Sequence, residues 1–258
     1  MSWFRRWRRE RTLRRHLLPE EVFRQTVEAL PILDGLDDDE LQRLREQASL
    51  LIAGKAFSAA GGAEVGEALQ RAIAVQACLL TLNLDEASYE DWSEIILYPE
   101  EFLRDHEEVD EAGVVHHTRD ILAGESWHGG PLVLSLADVR VSGQCNGFNV
   151  VLHEFAHKLD MLNGDLNGFP PLHRGMDAAA WARDFGAAYD NLRTRVDAGE
   201  DTPIDPYATY DPAEFFAVLT EAFFETPQLV HAEYPAVYDQ LCQFYRQHPL
   251  ARLEAAHA

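Results

Sequence analysis

Asn149-Val-Val-Leu-His153-Glu154-Phe-Ala-His157-Lys-Leu-Asp160 is the stretch on which the fold turns. His153 and His157 are four residues apart, so on an α-helix both imidazoles project from one face, one turn from each other, and can reach a single ion. Glu154 is angled too far round the helix to bind that ion strongly. Its carboxylate can instead take a proton from a water held there as the water attacks a carbonyl. Phe148, Val150, Val151, Leu152, Phe155, Ala156 and Leu159 surround the polar triple with apolar side chains, which predicts a near-buried helix over 147–162. A helix with two core histidines satisfied by other groups is the alternative to a metal site.

A catalytic zinc site needs a third protein ligand. Asp160 lies three residues past His157 on the same face, where a ligand would crowd the tetrahedron. Contact with a ligand imidazole suits it better, with simple exposure to solvent as the other option. Further on runs Tyr207-Ala-Thr-Tyr210-Asp211-Pro-Ala-Glu214-Phe-Phe-Ala-Val-Leu-Thr-Glu221. Asp211, Pro212 and Glu214 fit the N-cap, N1 and N3 positions of a helix, a pattern that accounts for Glu214 without any metal. The helix it opens is strongly apolar, however, and a carboxylate buried there requires a cation or several donors.

Outward from these two segments the hydrophobic period changes twice. Residues 19–33, 37–54 and 64–82 read as helices, the second opened by the acidic run Asp37–Glu40. The stretches 94–99, 113–117, 120–126 and 131–139 are short, partly β-branched and bounded by Gly or Pro, as strands are. Helices return at 147–162, 177–198, 212–225 and 234–247. Helices, a small mixed sheet and helices again predict an α+β chain with one core over residues 18–258. The strand Pro131-Leu-Val-Leu-Ser-Leu-Ala-Asp-Val139 falls where an edge strand could pair with an extended peptide above the metal-binding helix, and a plain core strand fits it as well. His116 and His117 are adjacent, so on a strand they point to opposite faces and do not chelate one ion.

The net charge is −22, and it is uneven: residues 1–16 carry seven arginines and one Glu, leaving 15 basic and 43 acidic residues in the remainder. So acidic a body repels phosphate backbones, which argues against direct nucleic-acid binding. Residues 1–17 are expected to form a basic, flexible tail. No apolar run has membrane-spanning length, so no membrane insertion is expected, and no secretory signal is visible. Cys78, Cys145 and Cys242 are far apart, and an odd count at that spacing fits reduced thiols in a cytoplasmic protein.

Several motifs in order resemble the Mlc titration factor A family of bacterial zinc peptidases. They are HEFAHKLDMLNGD, the Tyr-Ala-x-x-Asp-Pro-Ala-Glu-x-Phe-Ala-Val-Leu-x-Glu run, CQFYRQHPLARL, and upstream LYPEEF, GESWHGGPLVLSLADV and GFNVVLHE. The similarity covers roughly residues 20–252. It implies a gluzincin fold related to the protease domain of anthrax lethal factor, a cytoplasmic location, and aminopeptidase-like activity on peptides. It also implies binding to a glucose-responsive transcriptional repressor. Position by position, it assigns His153, His157 and Glu214 as ligands of one Zn²⁺ per chain and Glu154 as the catalytic glutamate. Tyr207 matches a tyrosine that stabilises the oxyanion, with Tyr210 as its nearby competitor.

Overall fold

The computed structural model describes residues 3–60, 65–84, 86–89, 91–98, 107–109, 115–117 and 130–256. Four helices lead: α1 (Trp3–His16), α2 (Glu20–Glu28), α3 (Asp38–Gly54) and α4 (Glu67–Thr81). The strands are β1 (Ala56–Ala59), β2 (Glu94–Tyr98), β3 (Glu107–Val109), β4 (Val115–His117) and β5 (Leu132–Ser135). Seven helices follow: α5 (Leu136–Val141), α6 (Val150–Asp160), α7 (Ala178–Asp197), α8 (Pro212–Glu225), α9 (Pro227–Glu233), α10 (Pro235–Tyr245) and α11 (Pro249–Ala256). The chain is thus α+β and mostly helical.

The expected mixed sheet is corrected. Strands β1, β2 and β5 form a parallel sheet in the order β1-β2-β5, while β3 and β4 make a separate antiparallel pair. Parallel pairing demands long crossovers, and α4 supplies the one between β1 and β2. Among the described residues strand β5 is an outer strand of this sheet, and it packs against α6. It stops at Ser135 rather than continuing to 139, because the Ser135 hydroxyl accepts from the Asp138 N–H and caps α5. The strand expected over 120–126 lies outside the described residues.

Within the basic N-terminal segment, residues Trp3–His16 form a helix. Helix α1 runs along α3, with Arg9 paired to Glu46 at 2.6 Å. An Asp37 capping box opens α3: Asp37 accepts from Glu40 N–H, and Glu40 accepts from Asp37 N–H.

One continuous apolar cluster joins Phe23 of the first helices to Tyr245 near the end. Its centre is α8, where every residue from Ala213 to Glu225 is buried. Phe216 packs against Trp181 and Phe244, and Phe223 and Phe224 against Tyr245. Helix α6 lies between α8 and α4. Polar groups on the facing sides of α6 and α8 are therefore shut away from water.

Candidate metal centre

Helix α6 starts where the Asn149 side chain accepts from Leu152 N–H at 3.0 Å. Asn149 does more than cap. Its Nδ2 donates to Gln76 Oε1 (2.8 Å) and Glu225 Oε1 (2.7 Å), and its backbone N–H donates to Glu221 Oε2 (2.7 Å). Glu225 also accepts from the backbone N–H groups of Gly143 and Asn146. Burial raises the Glu225 carboxyl's pKa, and these donors oppose the rise. The start of α6 is thus tied to α4, to α8 and to the loop preceding it.

One turn into α6, His153 and His157 face Glu214 of α8. Asp211 caps that helix by accepting from Ala213 and Glu214 N–H, and Pro212 fills its first turn. The capping and the burial expected of Glu214 therefore coexist. His153 Nε2 is 3.2 Å from His157 Nε2 and 3.0 Å from Glu214 Oε2; His157 Nε2 is 3.5 Å from Glu214 Oε1. All three side chains are buried. Donors bonded at about 2.0–2.1 Å to a tetrahedral ion lie about 3.3–3.4 Å from one another, so these separations suit one small cation.

Hydrogen bonding alone leaves the cluster incomplete: Glu214 Oε2 and His157 Nδ1 are buried with no hydrogen-bond partner. The Nδ1 of His153 faces Glu221 Oε1 at 2.6 Å. A proton held between them on Nδ1 leaves the Nε2 lone pair directed at Glu214 and His157. Burial by itself would lower the His153 pKa, but Glu221 and Glu214 outweigh it and push it up to about 10. Glu214 responds in the opposite sense. Burial works to raise its pKa, and the two imidazoles hold it well below the usual carboxylate range. Both shifts reflect the negative charge that Glu214 and Glu221 concentrate around His153, which also suits a cation there.

Glu154 is half-buried at the rim of this cluster, with no hydrogen bond or ion pair among the described residues. The Tyr207 ring is centred 6.1 Å from that of His153. Tyr210, its competitor, stacks on Tyr207 at 6.3 Å and is 61% exposed, one residue-layer further out.

Asp160 is buried rather than exposed to solvent. Its Oδ2 accepts from the N–H groups of Asn167 (2.9 Å) and Gly168 (2.6 Å), anchoring the loop after α6. Burial raises its pKa, and the His157 imidazole works to lower it. The carboxylate that touches a candidate ligand imidazole is Glu221, which the sequence reading left without a role. The available signal was its spacing: two helical turns after Glu214, on the same face of an apolar helix. Glu221→Gln is expected to keep the fold, since the amide can still accept from Asn149 N–H, and to weaken zinc affinity about 10–100-fold. Competition with a chromogenic chelator measures this; unchanged affinity would leave Glu221 a packing residue.

Two buried histidines and a carboxylate from a second helix form a donor set that could hold a metal ion, with a further carboxylate beside the first histidine. The chain belongs to the glucose-regulated metallopeptidase M90 family, whose sequence profile matches residues 4–246. It is 40% identical over 239 residues to Mlc titration factor A of Yersinia pestis (strain Pestoides F), covering 91% of this chain and 88% of that protein. The same figures hold for Mlc titration factor A of Yersinia pseudotuberculosis serotype O:1b (strain IP 31758).

Proposed function

We propose that this chain is a zinc-dependent, aminopeptidase-like peptidase with a zincin fold in one domain. His153, His157 and Glu214 hold one Zn²⁺, and Glu154 is the general base. The observation that carries this reading is the convergence of three buried donor side chains at separations suited to one ion, with Glu214 Oε2 left without a hydrogen-bond partner. A zinc ion there supplies a water of near-neutral pKa and a Lewis acid for the substrate carbonyl.

The remaining steps belong to the protein. Glu154 accepts a proton from the attacking water and delivers it to the departing amine. The Tyr207 hydroxyl donates to the carbonyl oxygen as negative charge develops there. Glu221 keeps the His153 proton on Nδ1, and the apolar packing of α6 and α8 excludes bulk water. Strand β5, an outer strand among the described residues, offers backbone groups to an extended peptide. Chelator treatment is expected to abolish hydrolysis of aminoacyl-nitroanilides, and stoichiometric zinc to restore it. Hydrolysis indifferent to chelation would remove the metal from the mechanism.

A second reading has its own support: the relatives are named for titrating Mlc. In it the chain binds a glucose-responsive transcriptional repressor in the cytoplasm, and the metal site is structural. One variant distinguishes the two. Repressor binding that survives Glu154→Gln while hydrolysis is lost makes them independent functions of one protein.

A further inference from the structure

Helix α1 brings together two kinds of side chain that serve no purpose in the metal centre. Trp3, Phe4 and Trp7 are 79%, 58% and 44% exposed, although they are among the most costly side chains to leave in water. At 100° per residue, Arg8, Arg11, Arg14 and Arg15 continue the same outward face, while Arg9, Thr12 and Leu13 turn half-buried toward α3. Among the described residues, those four outward arginines make no ion pair. Phe4 and Trp7 stack at 6.1 Å, and the Arg11 guanidinium lies 5.3 Å from the Trp7 ring centroid. An open groove of about 380 Å³ runs beside them, floored by Ala53 of α3. No described helix is long and apolar enough to cross a membrane.

We propose that α1 binds the surface of an anionic phospholipid bilayer, lying in its plane. Trp3, Phe4 and Trp7 enter the boundary between headgroups and acyl chains, and the four outward arginines contact lipid phosphates. This division of labour, aromatics for the interface and arginines for the phosphates, is what holds an amphipathic helix on a membrane. A nucleic acid fits less well. Base stacking favours open ring faces, and here Phe4 and Arg11 already stand beside the Trp7 ring. Phosphate contacts along a duplex would also leave the indoles in water, whereas a bilayer removes them from it. The acidic remainder of the chain opposes the approach. Screening over about 8 Å at physiological ionic strength confines the attraction to the helix that touches the surface.

The full chain tests this by sedimentation with vesicles of phosphatidylcholine containing about a third phosphatidylglycerol, the range in which surface charge draws basic segments. Co-sedimentation is expected, with a blue shift of tryptophan emission, and little with pure phosphatidylcholine. The R8Q/R11Q/R14Q/R15Q and W3S/F4S/W7S variants, with circular dichroism and zinc content as controls for folding, are each expected to bind at least about tenfold more weakly. No sedimentation with anionic vesicles, equal sedimentation with neutral ones, or undiminished binding by both variants overturns the proposal. So does tighter binding to a single-stranded oligonucleotide than to vesicles, which assigns the face to nucleic acid. A lipid-free dimer abolished by the same substitutions assigns it instead to a second copy of the chain.

Discussion

Glu154→Gln is expected to retain about one zinc per chain and to lower kcat for peptide hydrolysis roughly 10²–10⁴-fold, the range removed with a general base. The substitution is nearly isosteric at a half-buried position beside the cluster, so neither the His153–Glu221 contact nor the Glu214 cap depends on it. Lost metal would mean that the carboxylate stabilises the site electrostatically rather than acting on a proton. Undiminished kcat would remove Glu154 from the chemistry. Zinc content and steady-state kinetics on one preparation distinguish these results.

The largest effect on stability is expected from Gly168→Ala. Gly168 has a φ of +72°, and a Cβ added there would sit 2.2 Å from Pro212 O and 2.8 Å from Pro212 C. Both are backbone atoms at the first turn of α8, two residues before Glu214. Gly168 also donates its N–H to Asp160 and accepts from Trp181 Nε1, so the loop cannot retreat without losing both bonds. Loss of about 3 kcal/mol or more is expected in urea unfolding, with weaker zinc retention as α8 shifts. Gly164→Ala is the control. It shares a positive φ of +108° but meets nothing within 4 Å, so it should cost only the left-handed conformation, about 1–2 kcal/mol. Equal losses at the two positions would refute close approach as the cause.

The helix carrying the candidate metal ligands was legible because its signal is local: a four-residue histidine spacing, a glutamate beside the first histidine and an apolar surround all lie within eleven residues. Glu214 was legible too, since a carboxylate in an apolar helix calls for a partner. Glu221 was not. Its partner is 68 residues away, and only the packing of α6 on α8 brings Nδ1 of His153 within 2.6 Å. The second task of Asp160 was hidden for the same reason, because the loop that its carboxylate anchors returns from Asn167 and Gly168.

Strand β1 is four residues long and is defined by parallel pairing with β2 across α4, a contact that periodicity does not reveal. The switch from strand to helix at Ser135 could have been found: Ser135 and Asp138 stand at capping-box spacing, a local signal overridden by the apolar run around them. In α1 the dense arginine content argued for a solvated tail, and the contact with α3 that accompanies its helix is nonlocal.

Glu214 of α8 meets the two histidines of α6, and the assignment of a metal to this pocket is tested most directly by anomalous diffraction at the zinc edge from crystals of the full chain. A single peak bounded by His153 Nε2, His157 Nε2 and the Glu214 carboxylate, lost in Glu214→Ala, is the predicted result. No peak there after zinc soaking, or a peak held by other side chains, would contradict it.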